Sequence, residues 1–328
     1  MKLLNKAVKH GAGLGTAPLG NMYRDVSEEE AFGTIQSAWN MGIRYFDTAP
    51  HYGAGLAEIR LGKALADKPR DDFFLSTKVG RYMKDSTEEK EGLFKYGRQN
   101  EVVTDYSGES TRISIEQSLE RLQTDRLDVV FVHDVSPDFH GDAWTEKFEQ
   151  ARSGAFHVLE EMKKKGTIKG WGLGVNTISP IKLALEMGEL IPDIFLTATQ
   201  YTLLQHEHAL QEIMPLAEEK QVEMVVGSPY NSGALLGGSY FDYEAADANV
   251  LNHVRQLKQI ADEYNVSLKA AGLQFSSAHP AVSAVIPGST KAEHVEEDLR
   301  LLQEEIPKDF WKELISKGFI SEKAPLPV

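Results

Sequence analysis

A (β/α)8 TIM barrel with long loops at its C-terminal face is the fold class this sequence predicts, and three observations predict it. Short apolar runs alternate with amphipathic helical stretches along the chain, and eight such runs can be counted. Each run is apolar on both faces, as parallel strands covered by helices must be. No Pro/Ser-rich linker, low-complexity block or internal repeat beyond the strand–helix unit divides the 328 residues, so one domain over residues 1–328 is expected.

Taken in order, the strand-like runs are Gly13–Pro18, Tyr45–Thr48, Phe73–Val79, Leu127–His133, Ile168–Val175, Ile194–Gln200, Glu223–Ser228 and Ala281–Pro287. Between them lie helical patterns, among them Glu28–Asn40, Ile113–Leu122, Ala155–Lys165 and Ala209–Lys220. Ser27 followed by Glu30 fits a capping box and places a helix start there. Arg81–Arg112 and Ser232–Ala248 each follow a strand and read as inserted loops. Both are therefore expected at the C-terminal face, where barrel enzymes build their sites. Helical stretches at Val250–Tyr264 and Lys291–Glu304 precede a tail rich in proline.

An open dinucleotide-binding sheet does not fit. It needs G-x-G-x-x-G directly after a first strand. Gly11, Gly13 and Gly15 are spaced G-x-G-x-G instead, and Gly172-Leu173-Gly174 lies inside a strand run and lacks the third glycine.

Composition narrows the function. The chain has no cysteine, which excludes disulfides, thiolate zinc sites and a cysteine nucleophile. A net charge of −14 with no basic stripe repels nucleic acid. No run approaches the roughly 18 apolar residues of a membrane span, and the opening segment MKLLNKAVKH lacks the apolar core of a signal peptide. A cytoplasmic protein with neither membrane nor nucleic-acid partners is expected.

The ends of the runs carry the chemistry. Asp47 closes the second, Tyr52 follows in its loop, Lys78 closes the third and His133 the fourth. One charge at a strand end merely marks where solvent begins; four polar groups from neighbouring strand ends form a set. Moving a hydride to or from a carbonyl carbon requires a proton to move at its oxygen. Tyr52 can carry that proton, an ammonium from Lys78 would favour its phenolate, Asp47 would anchor the ammonium, and His133 would orient the substrate oxygen.

The segment Gly42-Ile43-Arg44-Tyr45-Phe46-Asp47-Thr48-Ala49-Pro50-His51-Tyr52-Gly53, with Lys78 after Ser76-Thr77 and His133 ending an apolar run, resembles the signature of the aldo-keto reductase superfamily. The resemblance implies a (β/α)8 barrel, an extended nicotinamide cofactor held without a Rossmann turn, and a catalytic tetrad of Asp47, Tyr52, Lys78 and His133. It also implies that Asn176 and Gln200 hold the nicotinamide carboxamide. Ser228, Gly288, Ser289, His294, Glu297 and Asp298 would serve the rest of the cofactor.

Relatives commonly stack a tyrosine on the nicotinamide where this chain has Gly227. NADPH-preferring relatives place a lysine at the position of Gly288 and an arginine at that of His294. Their loss, with Glu297 available to a ribose hydroxyl, points to NAD over NADP as cofactor, and an NAD preference points towards a dehydrogenase. The motifs Gly172–Asn176, Ser228–Gly233 and Asp105-Tyr106-Ser107 look most like the aldose and pyridoxal dehydrogenases, implying a small carbonyl or sugar substrate.

Other readings compete. A broad NADPH-dependent aldehyde or ketone reductase would share the tetrad. A nicotinamide-binding regulatory subunit could use the same barrel. His133, Asp134, Asp138, His140 and Asp142, or His206-Glu207-His208, suggest a metal hydrolase, but the first expected strand contributes no ligand and no metal is expected.

Overall fold

Eight apolar runs become eight parallel strands because each buries both of its faces, one against the barrel interior and one against helices. The computed structural model describes residues 2–4, 8, 11–87 and 89–327; most of the opening segment read above lies outside them. The barrel strands are β1 (Leu14–Gly15), β2 (Tyr45–Asp47), β3 (Phe74–Val79), β4 (Val129–His133), β5 (Gly170–Val175), β6 (Ile194–Ala198), β7 (Glu223–Gly227) and β8 (Val282–Ile286). They neighbour one another in that order. Closure comes from β1 returning to β8: Gly13 N–H donates to Val285 O at 2.9 Å and Gly15 N–H to Pro287 O at 3.2 Å.

The strands are shorter than expected for identifiable reasons. β1 stops at Gly15 because Pro18, whose nitrogen cannot donate to a ladder, starts a 3-10 turn over Ala17–Gly20. β6 and β7 stop one residue before Thr199 and Ser228, whose positive φ of 66° and 50° turns the chain out of the sheet. The helix Glu28–Asn40 begins at the expected capping box, with Ser27 accepting from Glu30 N–H at 3.1 Å and Glu30 accepting from Ser27 N–H at 3.1 Å. Ser107 caps Gly108–Leu122, which starts earlier than the apolar periodicity suggested.

The inserted loops are not structureless. Arg81–Lys84 pairs antiparallel with Glu101–Thr104, and Tyr240–Phe241 with Glu244–Ala245. The tail holds one more helix, Lys308–Ser316, burying Phe310, Trp311 and Leu314. No described helix is long and apolar enough to cross a membrane.

Candidate active site

Strand alternation puts Ser76 and Lys78, two residues apart on β3, on one face, and register sets Ser76 beside Asp47 of β2. Lys78 Nζ donates to Asp47 Oδ2 at 2.6 Å and to Thr48 O at 2.9 Å. Ser76 Oγ donates to Asp47 Oδ1 at 2.6 Å. Lys78 and Asp47 are 1% and 2% exposed, so this ion pair sits out of water. Burial pushes the Asp47 carboxyl up, and Lys78 beside it pulls it back.

Tyr52 stands beside the pair. Lys78 Nζ lies 4.8 Å from its ring centroid, and His133 meets the ring edge-on at 5.8 Å. The four expected residues therefore do converge. Lys78 acts differently from expectation, however. Its charge is taken up by Asp47, while burial, then the carboxylates of Asp47 and Asp134, push the Tyr52 phenol well above its ordinary value. At neutral pH Tyr52 is a phenol, ready to donate. Burial, then the positive charges of Arg81 and Lys78, holds His133 far below its ordinary value, and neighbouring His51 is lowered to about 3. Both imidazoles are neutral.

The Tyr52 ring packs against Lys78, His133 and Phe94, and its backbone is held by close main-chain contacts. A Cβ at Gly20 would lie 2.5 Å from the Tyr52 carbonyl carbon, one at Gly53 would strike the Gly20 carbonyl, and one at Gly97 would lie 2.7 Å from Gly53 Cα. Three backbone segments touch there with nothing between them.

Beyond the tetrad stands a support that the sequence reading did not assemble, having named Tyr106, Asp134 and His140 for other reasons and Arg81 only as the start of a loop. Arg81, 2% exposed, pairs with Asp134 Oδ2 at 3.0 Å, and Asp134 lies 3.5 Å from His133 Nε2. Tyr106 OH donates to His133 O at 2.9 Å and lies 2.8 Å from His140 Nε2. His140 is thus engaged with Tyr106, and His206 Nε2 accepts from Ser321 N–H at 3.1 Å.

A cleft of about 420 Å3 begins at Asp47 and Tyr52. It crosses the ends of β6, β7 and β8 to the helix Ala292–Leu301, where His294, Glu297 and Asp298 line it. The hairpin of the second inserted loop contributes Tyr243, and its Tyr240 stacks on Tyr23 with ring centroids 4.7 Å apart.

The sequence pattern of the Aldo/keto reductase family matches residues 12–318. The chain belongs to that family. It is 37% identical to pyridoxal 4-dehydrogenase of Microbacterium luteolum and 32% identical to D-threo-aldose 1-dehydrogenase of a Pseudomonas species, covering 94% of each chain in both cases. Among solved structures it resembles the holo form of an aldo-keto reductase from Bacillus halodurans, with a TM-score of 0.69 and 25% identity over 94% of this chain and 91% of that one.

This aldo-keto reductase is an NAD(P)-dependent oxidoreductase acting on small carbonyl or alcohol substrates. Its cleft gathers Ser228, Gly288, His294, Glu297 and Asp298 from the expected cofactor residues. Ser289 lies behind the lining, its Oγ accepting from Lys291 N–H at 3.0 Å. Asn176 and Gln200 follow β5 and β6 as expected, yet the lining does not include them. Asn176 Nδ2 donates to Asp138 at 3.2 Å and Gln200 Nε2 to Thr199 Oγ1 at 3.0 Å.

At the far end, Lys269 Nζ reaches Glu297 at 2.5 Å and Asp298 at 2.7 Å, and Tyr230 OH donates to Asp298 at 2.8 Å. Sequence reasoning missed Lys269 because its helix, Leu268–Ser277, lies apart from the Pro287–Asp298 segment that carried the resemblance. Gly288 also packs tightly: a Cβ there would lie 2.9 Å from Pro18 Cγ and Cδ.

Proposed function

We propose that this enzyme oxidises an alcohol carbon of an aldose or a pyridoxal-type ring with NAD, using Tyr52 as the group that takes the hydroxyl proton. The observation that carries this reading is that Tyr52, set in the buried Asp47–Lys78–His133 cluster, opens at the head of the cleft. The cleft fits an extended dinucleotide: glycine backbone at Gly15, Gly227 and Gly288 leaves its floor open, and acidic groups at its far end suit ribose hydroxyls.

The nicotinamide, when bound, supplies or accepts the hydride. Everything else falls to the protein. In oxidation Tyr52 first gives up its own proton to solvent, a step that a climbing pH favours because the phenol is raised. The phenolate then accepts the hydroxyl proton as the C–H bond breaks, giving the carbonyl product, a lactone when the substrate is an aldose. In reduction the Tyr52 phenol returns that proton to the oxygen. Neutral His133 offers a hydrogen bond to the substrate oxygen without adding charge, and the Asp47–Lys78 pair holds the phenol in place. Asn176 and Gln200 are proposed to meet the carboxamide by turning from their present partners.

NAD is favoured over NADP because Glu297 and Asp298 occupy the cleft's far end, and the cation that reaches it, Lys269, is held by both carboxylates. Ser289 lends its backbone to the same segment. The substrate class follows the two dehydrogenase relatives. Residues 1–328 are read as one domain acting in the cytoplasm.

The test is reduced-nicotinamide absorbance with NAD and NADP offered in turn alongside a panel of aldoses, pyridoxal and simple alcohols. NAD reduction with one sugar or with pyridoxal is expected. NADPH consumption with aldehydes alone, and silence with both oxidised cofactors, would overturn the reading.

A further inference from the structure

The hairpin over the cleft holds one aromatic ring where its own backbone resists it. Tyr240 pairs with Ala245 and Phe241 with Glu244, leaving Asp242 and Tyr243 as the whole turn. Both have positive φ, 48° and 72°, the signature of a type I′ turn. That geometry suits asparagine and glycine; a tyrosine at its second position is strained.

Several contacts hold the turn against this strain. Asn231 Nδ2 donates to Asp242 Oδ1 at 2.9 Å, and Tyr243 N–H donates to Ser232 Oγ at 2.9 Å. Asn231 is itself buried and accepts from Thr202 Oγ1 at 2.6 Å. The Tyr23–Tyr240 stack clasps the hairpin to the opposite rim. Backbone strain maintained this way at the mouth of a site is a mark of use.

Tyr243 lines the same stretch of cleft as Tyr52, Gly227 and Ser228. At Gly227 the end of β7 presents bare backbone, and a Cβ there would already press on Leu196 at 3.3 Å. The hairpin thus brings an aromatic ring to the part of the cleft where β7 offers none. A planar cofactor ring must be held at one tilt for its reacting carbon to face the substrate beside Tyr52, and an aromatic face does this with little loss of freedom.

We propose that Tyr243 is a cofactor-binding residue, supplying the aromatic face against which the nicotinamide ring packs. The proposal depends on the cleft taking a nicotinamide cofactor, as argued above. It predicts that removing the ring weakens cofactor binding without weakening the fold.

Titrating NADH against the wild-type chain and three variants, read by quenching of protein fluorescence, tests it. Tyr243→Phe should bind as the wild type does. Tyr243→Ala and Tyr243→Gly should each bind roughly three- to tenfold more weakly, the range of one aromatic pair. Tyr243→Gly should melt no lower than wild type, because glycine accepts the turn's positive φ, and this separates lost binding from lost folding. Wild-type affinity in the alanine and glycine variants would overturn the proposal while leaving the cofactor reading intact. Equal weakening in Tyr243→Phe would also overturn it, by assigning the effect to the hydroxyl. No NADH binding by the wild-type chain would overturn the cofactor reading and the proposal together.

Discussion

Replacing Lys78 with methionine removes the ammonium while keeping an unbranched chain of similar length. Asp47 then keeps the Ser76 hydrogen bond at 2.6 Å but loses the charge at 2.6 Å that offsets its burial. Stripping one partner from a buried pair costs about 3–5 kcal/mol. At about 2.1 cal/mol/K per residue, 328 residues have an unfolding entropy of about 0.7 kcal/mol/K. The melting temperature should therefore fall by about 4–7 °C at pH 7. Adding Asp47→Asn should restore most of that loss, because the amide needs no counter-charge and keeps an oxygen for Ser76. Turnover should remain at least about a hundredfold down in both variants. The sign with pH also follows. Without Lys78, burial raises the Asp47 carboxyl further above its unfolded value, so the destabilisation is full at high pH. It shrinks as the pH falls towards about 4, where the unfolded chain also binds the proton. Thermal melts of the single and double variants at pH 5 and pH 8 decide the matter. A single variant as stable as wild type, or a double variant no better than the single, would refute the electrostatic account of the pair.

Tyr52→Phe should abolish hydride turnover, by about a hundredfold or more, while NADH fluorescence titration shows the cofactor still bound. Because burial and two carboxylates raise the Tyr52 phenol, kcat/KM for alcohol oxidation should climb with pH through neutrality, with no inflection near pH 6.5 from His133; a plateau from pH 6 to 9 would sink the assignment. His294→Arg alone should shift the ratio of NADP to NAD affinity upward by competitive titration, and an unchanged ratio would remove the far end of the cleft from the cofactor site. Finally, His51, lowered to about 3, stays neutral in the fold while the unfolded chain binds a proton below pH 6.5. Stability should be lost as the pH falls from 6.5 towards 3, by up to about 1.4 kcal/mol per pH unit for this one group. A His51→Phe variant should show a shallower decline in melting temperature over that window.

The barrel and the tetrad were legible for the same reason: both are written in short stretches. An apolar run followed by one polar residue marks a strand and its catalytic end together, as Val129–His133 does. Long-range pairings were not legible. Lys269 meets Glu297 and Asp298 from another helix, and Arg81 reaches Asp134 from the end of the neighbouring strand, and nothing in their local sequence names the partner. The pH behaviour of Tyr52 escaped for a related reason. A nearby lysine suggests a lowered phenol, but only the 2.6 Å distance to Asp47 shows that the lysine's charge is already matched. The tight packing of Gly288 was hidden in the same way, since its neighbour Pro18 is remote in sequence.

The contact of Gly20, Gly53 and Gly97 beneath Tyr52 separates two things that most pockets couple. Where a proton donor is braced by side chains, every change in a neighbouring residue moves it. Here main chain braces main chain at the Tyr52 backbone: the loop after β3 supplies Gly97, and its Phe94 lies against the Tyr52 ring, whereas the loop after β7 supplies none of the three glycines. The loop after β7, outside Tyr243, can be rewritten, by drift or by a designer, to admit a different alcohol, while the backbone that carries the phenol keeps its contacts. Retargeting this barrel is thus a problem of loop composition, provided the three glycines are left alone.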